Sequence, residues 1–202
     1  MKIRLLIFSF VLLSFVTSCV SITKESPKKR FFSIEADISK IKKNSSPKFA
    51  KLRVNKLKIT SNYEGKEFIY RKDLDFESDF YNQFLVSPPT NITEQTINWI
   101  NESKLSEVIT NRLGGSDSNL VLEGNINLLY ADFTGGKIFS ILEIEFYLSD
   151  NTKDQILFKK VYSKKISSSD KDPVSILKGW NQGLTEILLS LETDLRGVVV
   201  SP

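Results

Sequence analysis

The sequence predicts an α+β fold, in which a twisted, largely antiparallel or mixed sheet carries two long amphipathic helices. Two observations support this class. Several short segments alternate apolar and polar residues as strands do, and two long segments repeat apolar residues at helical spacing. Strands followed by a helix occur twice, which is compatible with a duplicated strand-strand-strand-helix unit, although no residue-level repeat supports it.

The predicted strands are bounded by residues that favour turns. The alternation changes face near Lys56, which predicts a bend or a bulge there. Gly135 and Gly136 predict a hairpin turn between two of the longer strands. The predicted strands are 30–36, 50–60, 66–71, 79–87, 119–133, 137–148 and 155–166.

The first predicted helix runs over residues 91–113. Asn91 and Glu94 have the spacing of a capping box, and Gly114 and Gly115 are suited to end the helix. Six apolar residues share one face of this helix, namely Ile97, Ile100, Leu105, Val108, Ile109 and Leu113.

The second predicted helix begins with Asp172 as its cap and Pro173 at the first helical position, where the missing amide costs nothing. An apolar stripe follows from Leu177 to Leu195, and Gly197 closes the helix. We expect this stripe to pack on the sheet of the same chain, rather than to bind a helix of a partner.

Residues 1–18 have the layout of a secretory signal peptide, because Lys2 and Arg4 precede an apolar run too short to span a bilayer. Val16, Thr17 and Ser18 then stand directly before Cys19, the only cysteine. This arrangement resembles a bacterial lipobox, and it predicts cleavage before Cys19 and lipidation of its thiol. The alternative is an ordinary secretory signal that leaves a free thiol near the cleavage site.

Residues 19–30 are polar, contain Pro27 and show no periodicity, so we interpret them as a tether after the lipidated cysteine. Residues 31–202 have a length typical of one domain. The formal charge of +4 includes Lys2 and Arg4, and subtracting these two leaves +2. That balance is not typical of nucleic-acid binding.

The composition excludes several kinds of chemistry. The chain has no histidine and one cysteine, which excludes a Ser-His-Asp triad, a histidine-ligated metal and an internal disulfide. The acidic residues from Asp73 to Asp79 lack the glycine and final glutamate of a calcium loop, so we favour a solvated strand edge. We expect no enzyme activity, no catalytic or metal-binding residue, and no cofactor beyond the covalent lipid on Cys19.

From Phe31 to Leu195 the chain carries a series of motifs before and around its two predicted helices: FFSI, LRVNKLKI, FIYR, FYNQFLVSPP, LVLEGNINLLYADF and LEIEFYLSD. In this order and spacing they resemble the ABC-type transport auxiliary lipoprotein family, which includes paraquat-inducible protein C. Two departures stand out. The segment TSNYEGKE lacks the family's proline-tyrosine-leucine, and Phe84 stands where a tryptophan is common.

The resemblance implies a non-enzymatic accessory of an MCE-type (mammalian cell entry) ABC lipid transport system, which docks the periplasmic lipid conduit to the outer membrane. The implied partner is an MCE-domain periplasmic protein, and the implied membrane contact is the lipid anchor. Val20 follows the lipidated cysteine, so no aspartate signals retention in the inner membrane. We expect a lipid-anchored protein that faces the periplasm and binds no nucleic acid, and a homo-oligomer remains open.

The candidate residues for binding this partner are Tyr70, Arg71, Tyr81 and Phe84, which lie in the stretch most like the family. Tyr70 and Arg71 are adjacent, so on a strand they face opposite ways. Arginine and tyrosine are enriched at binding hot spots. The alternative is a buried tyrosine and a surface ion pair of Arg71 with Asp73 or Asp75.

A second hypothesis is a periplasmic lipid-carrier or chaperone lipoprotein that binds an acyl chain in its own cavity. Five aromatic residues are candidate cavity walls, although core packing is the favoured interpretation of each. A hydrolase is a third class, for which no activated nucleophile is visible. The candidate walls are Phe80, Phe84, Phe139, Phe146 and Trp180.

Overall fold

The computed structural model describes residues 27–42, 46–110 and 118–200, so Cys19 lies outside the described residues. In this part of the chain, nine strands form one mixed sheet on which two helices pack, which confirms the predicted α+β class. The strands are β1 (Arg30–Phe32), β2 (Phe49–Val54), β3 (Lys58–Ile59), β4 (Glu67–Lys72), β5 (Asp75–Phe84), β6 (Ser106–Thr110), β7 (Leu120–Asp132), β8 (Phe139–Asp150) and β9 (Gln155–Ser167); the helices are α1 (Pro88–Glu102) and α2 (Pro173–Gly197).

The long strand β7 organises the sheet. One of its edges pairs with β8 in antiparallel fashion along its whole length, and β8 pairs with β9 in the same way. The other edge accepts β2, β3 and β4 one after another, all parallel to β7. Next to these lie β6 beside β2, β5 beside β4, and β1 beside β5. The β4–β5 hairpin and β1 therefore form the edge of the sheet that lies opposite β9.

Two local predictions are confirmed. The break between β2 and β3 falls at the predicted change of face near Lys56. The turn between β7 and β8 contains Gly135 and Gly136 at φ values of 68° and 74°, a conformation that glycine adopts without strain.

Helix α1 begins earlier than the capping-box pattern predicted. Ser87 occupies the cap position, and Pro88 and Pro89 follow in the first turn, where backbone amides have no helical partner in any case. Asn91 is therefore inside the helix and does not cap it. The oxygen of its buried side chain instead accepts a hydrogen bond from the backbone amide of Ile34 at 3.1 Å.

The end of α1 also corrects the prediction, which extended the helix over residues that form β6. The helix ends at Glu102, and Lys104 adopts a left-handed conformation with φ of 51°. The amide of Lys104 donates to the carbonyl of Asn101, and that of Leu105 donates to the carbonyl of Ile100, both at 3.1 Å. These two bonds form a Schellman motif, which ends the helix and turns the chain into β6. The predicted end at Gly114 and Gly115 lies outside the described residues.

Helix α2 confirms its predicted bounds. Its apolar stripe is buried against β8 and β9, and Trp180 lies at the centre of the core. The indole Nε1 of Trp180 lies 3.3 Å from the carbonyl oxygen of Tyr130 and 3.2 Å from that of Ile141. Asp172 occupies the cap position, but its carboxylate makes no cap hydrogen bond and instead lies 3.4 Å from Arg30.

Glu192 of α2 joins the two helices. Its buried carboxylate accepts a hydrogen bond from the indole of Trp99 at 3.1 Å, and its other oxygen pairs with Arg196 at 3.0 Å. Arg196 donates in turn to the carbonyl of Ser103 at the end of α1, at 2.7 Å. This chain of polar contacts fixes the C-terminal end of α1 against α2.

Residues 34–37, which follow β1 in the sequence, form an extended segment that lies in space between the two helices. We call this segment the strap. Its amides alternate in direction, as those of extended backbone do. Those of Ile34 and Ala36 donate to side chains of α1, and those of Glu35 and Asp37 donate to side chains of α2. The four acceptors are Asn91, Gln95, Asn181 and Thr185, at 2.8–3.1 Å.

Candidate functional site

The candidate partner-binding residues lie on the β4–β5 hairpin or at its end, because the two strands pair in antiparallel fashion from Lys72 and Asp75 onwards. Asp73 adopts a positive φ of 52° at the turn. The strand β5 begins at Asp75, earlier than predicted, so the acidic segment forms the turn and the first half of this strand. That placement agrees with the favoured interpretation of the segment as a solvated strand edge.

Tyr70 faces the interior side of the hairpin. Its ring stacks on that of Phe133 with a centroid distance of 5.0 Å, and its hydroxyl donates to Asp79 at 2.8 Å. Burial raises the pKa of Tyr70, and the hydrogen bond to the Asp79 carboxylate raises it further. Tyr70 therefore holds the hairpin to the rest of the sheet, and most of its ring is not available to a partner.

Asp79 is the polar centre of the same strand. Besides Tyr70, it accepts hydrogen bonds from the backbone amides of Tyr81 and Asn82 and from the side chain of Asn82. Burial alone would raise the pKa of Asp79, but the hydrogen bonds from Asn82 and Tyr70 more than offset this and lower the pKa. This network fixes the course of β5 between its exposed first half and its buried end.

Arg71 lies on the other face of the hairpin, as the alternation of a strand predicts. Its Nε donates to the backbone carbonyl of Asp73 at 2.9 Å, and its guanidinium lies 6.0 Å from the ring centroid of Phe76. The pKa of Arg71 is raised by its interaction with Tyr130, both through side-chain hydrogen bonding and through charge. The contact with Asp73 is thus made to its carbonyl and not to its carboxylate, so a brace across the turn stands in place of the ion pair with Asp73 that the alternative interpretation expected.

Two apolar side chains are exposed beside this brace. Leu74, at the turn, is 91% exposed, and Phe76 is also exposed although its ring meets that of Tyr130 edge to face. We call Arg71, Leu74 and Phe76 the hairpin tip. The sequence interpretation missed Leu74 and Phe76, although both lie among the acidic residues that it discussed.

The other two predicted residues lie elsewhere. Tyr81 is exposed, meets the ring of Phe80 edge to face at 5.4 Å, and lies five residues from Phe76 along β5. Phe84 is only 4% exposed, and it packs against Phe68 and Trp180. Its burial does not support a direct contact with a partner. The structure therefore does not bring the four predicted residues into one site, because Tyr70 and Arg71 face opposite ways on β4 and Tyr81 and Phe84 lie farther along the hairpin.

The candidate cavity walls do not enclose a space in the described part of the chain. Phe146 and Trp180 are fully buried in the core, and Phe80 is exposed at the edge. A cleft of about 710 Å³ lies beside the strap, and seven of its ten lining residues are polar or charged, Asn181 and Glu186 among them. None of the five aromatic residues lines this cleft.

The described residues contain neither a cluster of metal-ligand side chains nor a helix suited to span a membrane. Across residues 27–42, 46–110 and 118–200, no group of histidine, cysteine, aspartate and glutamate side chains is arranged to hold a metal ion. Within the same ranges, neither α1 nor α2 combines the length and the apolar character needed to cross a membrane.

These features define an α+β domain with an open mixed sheet, two helices packed on that sheet, and an exposed hairpin at one sheet edge. No family model and no curated protein matches the sequence. Solved structures do match the fold. One is a protein from Xanthomonas campestris that carries the family description DUF330, with a TM-score of 0.69 and 12% identity, over 80% of this chain and 92% of that one.

Two other solved structures share the fold. An uncharacterized protein matches with a TM-score of 0.62 and 11% identity, over 83% of this chain and 98% of its own. A hypothetical protein from Chlamydia trachomatis matches with a TM-score of 0.52 and 8% identity, over 73% and 98%. At these identities the likeness concerns the fold alone.

Proposed function

We propose that this protein is a non-enzymatic lipoprotein, anchored through Cys19 in the outer membrane and facing the periplasm. There it acts as an accessory of an MCE-type ABC lipid transport system and docks the periplasmic lipid conduit to the membrane. The lipobox-like residues before Cys19 support the anchor. The ordered motifs from Phe31 to Leu195 support the family resemblance, and the fold shared with a DUF330 protein is compatible with it.

The observation that carries the docking role is the hairpin tip. Exposed leucine and phenylalanine side chains beside a braced arginine are suited to bind a protein partner, because aromatic residues and arginine dominate the energetics of interfaces. The Nε of Arg71 is held by the carbonyl of Asp73 at 2.9 Å, so less side-chain entropy remains to be lost on binding. The partner of this surface is an MCE-domain protein of the same system.

A binding titration with the MCE-domain protein of the same organism tests this role. Leu74→Ala removes an almost fully exposed side chain, so it should leave the fold unchanged and weaken binding. Arg71→Glu should weaken binding at least about tenfold, or about 1.4 kcal/mol. Ile156→Ala is the matched control, because Ile156 is an exposed aliphatic residue on β9, at the opposite sheet edge.

Two outcomes would contradict the proposal. If Leu74→Ala and Arg71→Glu bind as tightly as Ile156→Ala while circular dichroism shows all three folded, the hairpin tip is not the docking surface. If mass spectrometry instead finds stoichiometric lipid on the purified protein beyond its covalent anchor, the carrier hypothesis is favoured over docking.

A further inference from the structure

A second exposed surface lies where the chain enters the domain. β1 pairs with the last residues of β5, so Phe31 lies next to Gln83, and the amide of Leu85 donates to the carbonyl of Phe32. Phe31, Phe80 and Leu85 are all exposed there, Phe80 by 61% and Leu85 by 60%. Together with Lys28 and Lys29, we call these residues the anchor edge.

The charges around the anchor edge are mainly positive. Lys28 and Lys29 are exposed, and Lys29 Nζ lies 3.8 Å from the ring centroid of Phe80. Lys66 reaches the same place and donates to the carbonyl of Leu85 at 3.0 Å. Two carboxylates lie near this edge: that of Asp79 is directed toward Tyr70 and Asn82 by its hydrogen bonds, and that of Glu67 accepts a hydrogen bond at 3.3 Å from Gln83, the strand neighbour of Phe31. The surface therefore presents lysine ammonium groups together with aromatic and aliphatic side chains.

The length of the chain before this edge limits how far it can lie from a lipid on Cys19. Seven residues lie between Cys19 and Pro27, the first described residue. Even fully extended, the eight Cα-to-Cα steps from Cys19 to Pro27 span at most about 29 Å. The opposite edge, β9, lies five strand spacings farther across the sheet, about 24 Å from β1. The extended reach exceeds this distance, so the length of the segment permits either edge at the bilayer, but it favours the anchor edge, which needs no extension of the segment.

We propose that the anchor edge rests on the headgroups of an anionic bilayer, so that the lipid is one of two membrane contacts and the domain is held in one orientation. The inference rests on the lipidation of Cys19 proposed above. Aromatic side chains are favoured at the headgroup level. The outer side of β1 pairs with no strand among the described residues, and its amides stay hydrated at that depth.

Lysine residues near an anionic surface strengthen such a contact. Each adds about fivefold to the equilibrium for docking, and Lys28 and Lys29 together add about 25-fold. The hairpin tip, in contrast, is flanked by Asp73, Asp75 and Glu77, which disfavour an anionic surface. The two exposed surfaces of the hairpin region therefore suit different occupants, the membrane at the anchor edge and a protein at the tip.

Site-specific fluorescence on the full-length lipidated protein, reconstituted in vesicles of phosphatidylethanolamine and phosphatidylglycerol, tests the orientation. Cys19 is the only cysteine and its thiol is consumed by the lipid, so a cysteine introduced by Leu85→Cys is labelled alone. Ile156→Cys is the matched control, because both positions are 60% exposed. We expect spin-labelled lipids to quench a fluorophore at position 85 and not one at position 156.

Charge variants and vesicle composition complete the test. Lys28→Glu with Lys29→Glu, in the Leu85→Cys background, should lower the ratio of docked to undocked protein at least about 25-fold. Vesicles of phosphatidylcholine alone should also reduce the quenching. Equal quenching at positions 85 and 156, or quenching at position 85 that does not respond to the lysine variants, would overturn the proposal. Shielding of position 85 only after a partner protein is added would assign the edge to that protein instead.

The mass of the intact protein separates this inference from the proposed function. A chain without the mass of a lipid would overturn the anchor and the membrane contact together. A lipidated chain whose probe at position 85 stays unquenched would overturn only the membrane contact, and would leave docking at the hairpin tip to its own binding titration.

Discussion

The close packing of α2 on β8 depends on Gly179. A Cβ atom placed on Gly179 would lie 2.7 Å from the Cβ of Ser140, and closer still to its Oγ. Ser140 cannot turn away freely, because its buried hydroxyl donates to the carbonyl of Ile176 at 2.8 Å and lies 3.0 Å from the hydroxyl of Ser168. Gly179→Ala must therefore push the helix from the sheet or break a buried hydrogen bond.

The neighbouring Gly183 provides the comparison, one helical turn further along the same face. A Cβ there would come no closer than 3.4 Å to any atom, and that atom is the Cβ of Lys164. Alanine is favoured over glycine within a helix by about 1 kcal/mol. Overpacking costs about 1–3 kcal/mol. We therefore expect Gly183→Ala to gain up to about 1 kcal/mol and Gly179→Ala to be about 1–3 kcal/mol less stable than Gly183→Ala.

Urea unfolding of the purified protein, followed by circular dichroism, measures both changes. Because the substitution is the same, the difference between the two variants reports the contact with Ser140 and not the general effect of alanine in a helix. Ser140→Gly removes the obstructing atoms, so the double variant should be more stable than the sum of the single effects predicts. If Gly179→Ala proves as stable as Gly183→Ala, the close approach of helix and sheet is refuted.

Three further predictions concern the core, the response to acid and the anchor. Leu184→Ala should lower the free energy of unfolding by about 2–5 kcal/mol, because Leu184 is fully buried; a loss below about 0.5 kcal/mol in urea would mean that the stripe of α2 is not packed. Asp194 accepts hydrogen bonds from Lys160 and Tyr162, and although burial opposes it, these bonds lower its pKa, so its contribution to stability is present above about pH 4 and is lost on acidification. The difference in free energy of unfolding between wild type and Asp194→Asn should therefore be larger at neutral pH than at acidic pH. A difference that stays constant with pH would contradict this. Cys19→Ala should abolish labelling with a fatty-acid analogue and leave an uncleaved precursor, whereas equal labelling of the two proteins would exclude Cys19 as the lipidation site.

The predictability of the two helices differs for a physical reason. At α2, the cap position, the proline at the first turn, the apolar stripe and the final glycine all indicate the same helix, and its bounds were predicted correctly. At α1, the left-handed residue that ends the helix is Lys104, where a pattern-based interpretation looks for glycine. The apolar residues Val108 and Ile109 of the following strand then continued the helical spacing by coincidence.

The candidate site shows what sequence periodicity can and cannot give. Alternation along β4 placed Tyr70 and Arg71 on opposite faces, and their contacts agree with this. The same reasoning could not separate Phe84 in the core from Leu74 at the turn, because an apolar residue near a strand end suits either place. The difference arises from Phe68 and Trp180, which enclose Phe84 from distant parts of the chain.

The hydrogen bonds that hold the strap depend on its backbone and not on its side chains. Its four amides are bound by side chains of α1 and α2, so every residue except proline supplies the same donor at these positions. The constraint falls on the acceptors, spaced four residues apart in each helix. Apart from Ile34, whose side chain is fully buried in the core, the strap can therefore change in sequence as long as Asn91, Gln95, Asn181 and Thr185 keep polar side chains that accept a hydrogen bond.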